Sequence, residues 1–150
     1  MGTKYRGNKR EVKVLDAYIK FSRAFFTLQN TLSRNLIENK LTLSQFGVLE
    51  VILHLGPLNQ KVISEKLLSS SSNLVTVIDN LENNGLVKRE RSLEDRRNFI
   101  VHLTDKGKKV IEEIFPKHLN IISQSFNKLT EREIETLGKL SKKLGLNVEK

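Results

Sequence analysis

The chain has no cysteine and no tryptophan, and only one methionine and two prolines in 150 residues. Without cysteine there is no disulfide, no thiolate nucleophile, no Cys-ligated zinc and no thiol-based redox sensing. A reducing interior fits this composition, and a cytoplasmic protein is expected. Long apolar runs are missing too. No stretch approaches the roughly 20 residues that cross a bilayer as a helix, so no membrane partner is expected. The N-terminal Met1-Gly2-Thr3-Lys4-Tyr5-Arg6 has no apolar signal core, and Arg6 stands where N-myristoylation needs Ser or Thr. His54, His102 and His118 have no second His, and no Cys, at metal-ligand spacing. No Gly-rich phosphate loop, Ser-His-Asp order or buried carboxylate pair stands out. The pattern therefore predicts no enzyme, no metal and no cofactor.

What the chain does have is positive charge, +9 net, unevenly placed. Residues 1–40 carry nine Lys/Arg against three Asp/Glu, residues 88–109 eight against four, and residues 41–87 only two against four. Clustered cations beside a helix-turn-helix pattern are an electrostatic footprint for phosphates. On charge alone, a basic soluble protein or a binder of an acidic protein fits as well.

The patterning is mostly helical. Residues 9–38 lack Pro and Gly, and Leu15, Tyr18, Ile19, Ala24, Phe25, Leu28, Leu32 and Leu36 recur near helical spacing. Thr42-Leu43-Ser44-Gln45 reads as a capping box opening a helix with Phe46, Leu49, Val51, Ile52 and Leu55, which stops at Gly56-Pro57. Residues 59–68 predict a short helix with Val62, Ile63 and Leu67 inward. The run Ser69-Ser70-Ser71-Ser72 then serves as turn and N-cap. A helix over about 71–84 buries Leu74, Val77, Ile78 and Leu81 and ends at Asn83-Asn84-Gly85. Residues 86–91 and 99–104 pair as strands, with Phe99, Val101 and Leu103 on one face. Thr104 caps a helix to about Leu129, in which Pro116 predicts a kink or a break. Thr130-Glu131-Arg132-Glu133 is a second capping box, and its helix is expected to end near Leu144-Gly145. The fold class is mainly α with a small β-hairpin wing: one domain over 1–150, with a winged helix-turn-helix at 42–104 between helical segments 9–40 and 105–150.

The face of the 71–84 helix opposite its apolar stripe holds Ser72 and Thr76, flanked by Asn73, Val75, Asp79 and Asn80, with Ser70 and Ser71 at its entry. Short polar side chains let a helix approach base edges: Asn can pair with adenine, Ser and Thr with any base, and Val75 can touch a thymine methyl. A plain solvated face has the same composition. The next hairpin carries Asp95-Arg96-Arg97 at its tip, placed to enter a narrow minor groove. Asp95 repels phosphate, so its expected task is an ion pair holding an arginine.

These segments, with Leu41-Thr42-Leu43-Ser44-Gln45-Phe46, Asp79 to Arg89 and Asp95-Arg96-Arg97 leading into Leu103-Thr104-Asp105-Lys106-Gly107, resemble the MarR family of transcriptional regulators. The resemblance covers nearly the whole chain. It implies a homodimer, with 9–40 and 105–150 as dimerisation helices, binding a palindromic double-stranded operator. It also implies an Asp95–Arg97 wing pair with Arg97 in the minor groove, and a small aromatic or phenolic effector. Phe21, Phe25 and Phe46 can line the effector's pocket or simply be core. Ile114-Phe115-Pro116 and the serine-rich turn look similar to the quinone- and hydroquinone-responsive branch, and without cysteine any such sensing is non-covalent. One departure stands out: where the family often carries Thr then Arg, this chain has Val75 and Thr76, so an A·T-rich half-site with weak guanine preference is expected. The alternative function is a non-specific architectural DNA-binding protein.

Overall fold

The computed structural model describes residues 3–68, 70–93 and 97–148. In chain order the elements are α1 (Lys9–Glu38), α2 (Leu43–Leu55), β1 (Leu58–Asn59), α3 (Gln60–Lys66), α4 (Ser71–Asn83), β2 (Val87–Arg91), β3 (Phe99–Leu103), α5 (Asp105–Phe126) and α6 (Glu131–Val148).

Local chemistry sets the boundaries. Asn8 opens α1: its Oδ1 accepts the N–H groups of Arg10 and Glu11 at 3.0 and 2.9 Å, and Glu11 accepts the Asn8 N–H at 3.0 Å. Thr42 and Gln45 make the same reciprocal pair ahead of α2, at 2.9 and 3.2 Å. Gly56, at φ +79°, turns the chain out of α2. Thr130 and Glu133 open α6 with bonds of 2.8 and 3.4 Å. That helix runs three residues beyond Gly145, so Gly145 lies inside it and is not a stop.

Two other expectations change. Asn59, expected to open the short helix, is instead strand with Leu58, and the two pair antiparallel with β3 (Leu58 opposite Val101, Asn59 opposite Ile100). The sheet therefore has three strands, in the order β1-β3-β2. Two residues are too few to show strand periodicity, and Asn59 doubles as the α3 N-cap, its Oδ1 accepting the Lys61 N–H at 2.8 Å. Pro116 does not break α5, which is one helix over 22 residues. The Glu112 carbonyl loses its helical donor to the proline, but both residues are exposed and water can serve it.

The core joins Leu36 and Leu41 to Phe46, Val48, Leu49 and Ile52 of α2, Ile63 of α3, Leu74, Ile78 and Leu81 of α4, Leu86, Val87 and Val101 of the wing, and Ile111 and Ile114 of α5. It sits inside the winged helix and reaches only the adjoining ends of α1 and α5. Along α1 only Leu32 and Leu36 are buried. Tyr18 and Phe25 are exposed, and Leu15, Ile19 and Leu28 half-buried, so most of its apolar stripe lies outside this core. No helix among the described residues is long and apolar enough to cross a membrane.

Candidate nucleic-acid interface

Burial of Leu74, Ile78 and Leu81 fixes the rotation of α4. That rotation leaves Ser71, Ser72, Asn73, Val75, Thr76 and Asn80 exposed together. Ser70 is the N-cap, its Oγ accepting the Asn73 N–H at 3.3 Å. At the other end Gly85 N–H donates to Glu82 O at 2.8 Å and Leu86 N–H to Leu81 O at 2.9 Å, a Schellman closure with Gly85 at φ +70°. Leu81 and Leu86 are both buried, so the closure ties α4 directly to the wing.

The wing is held against α4 by Arg89. Its backbone N–H donates to Glu82 Oε1 at 2.9 Å, and its Nε and Nη2 donate to Glu82 Oε2 at 2.9 and 2.6 Å. Nη2 also lies 2.7 Å from Asp79 Oδ1. Side-chain hydrogen bonding from Arg89 holds the Glu82 carboxyl below the usual carboxylate range, against a smaller opposing effect of burial. Both carboxylates of α4 are thus matched by one guanidinium. Sequence reasoning gave Arg89 no role beyond the motif. Two acids on a helix proposed to face phosphates do demand a nearby cation, and that was the available signal.

On the outer strand face Lys88 Nζ lies 2.6 Å from Glu90 Oε1, and His102 Nε2 lies 3.3 Å from Glu90 Oε2. Hydrogen bonding to Lys88 keeps Glu90 below its ordinary range, with His102 contributing less. Arg91 places its guanidinium 5.8 Å from the centre of the Phe99 ring, directly opposite in register. Arg97 helps line a cleft of about 180 Å³ with Lys61, Ser64, Ser71 and Leu74, between the loop end of the wing and the N-terminal ends of α3 and α4. Arg97 is therefore brought to the same surface as the entry of α4. Asp95 and Arg96, and with Asp95 the expected pair to Arg97, lie outside the described residues.

The interface is bolted to α5. Thr104 Oγ1 donates to the Gly85 carbonyl at 2.6 Å and accepts the Gly107 N–H at 3.0 Å, while Lys106 Nζ donates to the Asn84 carbonyl at 2.8 Å. Gly107 sits so close to Leu86 that a Cβ there would overlap the Leu86 carbonyl oxygen.

The three phenylalanines expected near one pocket are not together. Phe21 and Phe25, with ring centroids 6.5 Å apart, line an apolar cleft of about 820 Å³ with Leu28, Phe126, Ile134 and Leu137. Phe46 instead faces inward from the first turn of α2, buried, with its ring centroid 4.0 Å from that of His118. Val48, Leu49 and Ile52 share the buried side of α2 with it, so Phe46 is core and not cleft.

In overall shape the chain matches the MarR family transcriptional regulator Sco3205 of Streptomyces coelicolor, solved in complex with DNA. The TM-score is 0.88 over 99% of this chain and 94% of that one, at 22% identity. Residues 31–114 match the family described as transcriptional regulator SarA/Rot. The HTH-type transcriptional regulator YkoM of Bacillus subtilis is 36% identical over 93% of this chain and 92% of its own length. The chain belongs to the MarR family. As a member of this family it is a helix-turn-helix, DNA-binding transcriptional regulator. The chain is also similar in shape to Bordetella bronchiseptica BpsR, whose DNA binding is regulated by 6-hydroxynicotinic acid. Its TM-score is 0.77 at 23% identity, over 86% of this chain and 98% of that one.

Proposed function

We propose that this MarR-family regulator is a cytoplasmic homodimeric repressor that grips a palindromic operator and releases it when a small aromatic effector binds. The apolar cleft of α1, α5 and α6 carries the dimer reading. It is too large and too apolar to face water: Phe21, Phe25, Leu137 and Leu144 are all exposed, and Val14, Tyr18, Phe26 and Leu140 extend the same apolar character. A second copy inserting its own terminal helices covers this surface. Dimerisation then sets two copies of α4 on one two-fold axis, reading half-sites about one helical turn apart (roughly 10 bp). Ser71, Ser72, Asn73, Val75, Thr76 and Asn80 face the major groove, Arg97 enters the minor groove, and Arg96 is a further DNA-binding residue. The effector role is supported by the regulation of BpsR, and the stacked Phe21–Phe25 pair supplies an aromatic seat at the edge of the cleft.

Sedimentation velocity of the wild type and of Phe25→Asp, with DNA titrations of both, tests the proposal. Phe25 is half-exposed, so the variant folds. The wild type sediments as a dimer and prefers the palindrome from its own upstream region over random duplex by about a thousandfold or more. The variant is monomeric and loses that preference. A wild-type monomer with equal affinity for both duplexes overturns the proposal in favour of a non-specific architectural protein.

A further inference from the structure

The groove-facing surface of α4 has no positive charge of its own. Ser71–Asn83 contains no Lys and no Arg, and its only charged residues, Asp79 and Glu82, are both occupied by Arg89. What this helix offers a base edge is therefore short and neutral. Ser72, Thr76 and Asn80, spaced four apart, form one exposed stripe. Val75 stands beside it, 39% exposed, one turn before Asp79 and hence on the wing side. The cations lie around the helix: Lys61 and Lys66 on α3, Arg91 on β2, and Arg97 beside the α4 entry, all exposed. Phosphate binding and base reading are divided between different elements.

The division has a consequence for the base pairs. Guanine is read most often by Arg or Lys donating to O6 and N7, and α4 has no such donor. Arg89 cannot turn to the groove without leaving two carboxylates there unpaired, facing phosphate. Asn80 has the amide geometry that pairs with adenine N6 and N7, and the two methyls of Val75 match the thymine C5-methyl. We infer that Val75, Thr76 and Asn80 make this regulator an A·T reader, with thymine methyl contact at Val75 and no guanine-directed contact from α4. This deepens the operator reading above and rests on it.

Binding-site selection with the full-length protein, followed by titration of the selected duplex, tests the inference. The expected half-site has A·T pairs at the positions under α4. Replacing the thymines there by deoxyuridine, which removes only the methyl groups, weakens wild-type binding about fourfold per half-site, the worth of one buried methyl in each. The same replacement costs Val75→Ser, which offers no methyl at that position, little or nothing. Thr76→Arg, at an exposed position, shifts selection towards guanine at one pair per half-site by about tenfold or more. An unchanged midpoint in chemical denaturation shows that the fold is kept. A dominant G·C requirement under α4 in the wild type, or indifference to deoxyuridine, overturns the inference while leaving the regulator reading intact. Failure to select any sequence instead overturns the operator reading itself.

Discussion

Arg89 and Glu82 meet through three hydrogen bonds of 2.6 to 2.9 Å, one from the backbone and two from the guanidinium. The guanidinium also reaches Asp79 at 2.7 Å. The wing and α4 thus form one unit whose acids are neutralised towards an approaching phosphate. Both partners keep some contact with water, so the clamp's contribution to fold stability is modest, about 1 kcal/mol. Its larger effect is on DNA.

Arg89→Met tests that effect. Releasing two carboxylates beside the groove lowers operator affinity by about tenfold, roughly 1.4 kcal/mol. If neutralisation is the role, adding Asp79→Asn and Glu82→Gln restores most of the loss in a fluorescence-anisotropy titration. If Arg89 instead binds phosphate itself, the triple variant stays weak. The sign with pH is also set. Hydrogen bonding from Arg89 depresses the Glu82 carboxyl, so the clamp is complete above about 4.5, the ordinary value for a glutamate, and is lost as pH falls through the lowered value.

Gly107 is the second tight point. Its Cα packs on the Leu86 carbonyl where the first turn of α5 meets the exit of α4, and a Cβ has no room against backbone. Gly107→Ala therefore forces α5 away from Gly85 and Asn84, to which Thr104 and Lys106 tie it. A loss of about 3 kcal/mol in chemical denaturation is expected, at the upper end for overpacking. Gly145→Ala is the control. It lies inside α6 with open space around it, and there the same change stabilises by up to about 1 kcal/mol. Equal effects at both sites would place the constraint elsewhere.

Much of this architecture was legible because local chemistry and burial agree. Thr42, Ser70, Thr104 and Thr130 each precede a helix and act on its first turn as their types predict. Leu74, Ile78 and Leu81 have the helical spacing that turns Thr76 outward. What stayed hidden depends on distance in sequence or on a second copy. Leu58–Asn59 becomes a strand only because β3, some forty residues later, offers an edge. Tyr18 and Phe25 recur at the helical spacing of an apolar stripe, yet they lie outside the core of a single chain. Phe46 was grouped with Phe21 and Phe25 by residue type, although it faces inward among the buried residues of α2. Arg89 is one basic residue among many in the sequence, since its partners are ten and seven positions earlier, across a turn.

His118 supplies the last prediction. It is buried on α5 against Phe46, and its Nδ1 has no hydrogen-bond partner among the described residues. Burial pushes its imidazole below the ordinary value of about 6.5, so the folded state favours the neutral ring. Stability from this site is complete above that value and is lost as pH falls through the lowered one, by at most about 1.4 kcal/mol per pH unit for one proton. Glu50 works in the opposite direction. Burial raises its carboxyl despite the nearby His54, so its protonation favours the fold as pH falls. The two are separated by comparing wild type with His118→Leu, which keeps an apolar side chain against Phe46. Between pH 7.5 and 5.5 the wild type loses melting temperature relative to the variant, and operator affinity falls in parallel because Phe46 opens α2, the helix underlying α4. If the two proteins keep the same difference in melting temperature across that range, His118 is already unpaired with the fold's proton balance and the coupling is absent.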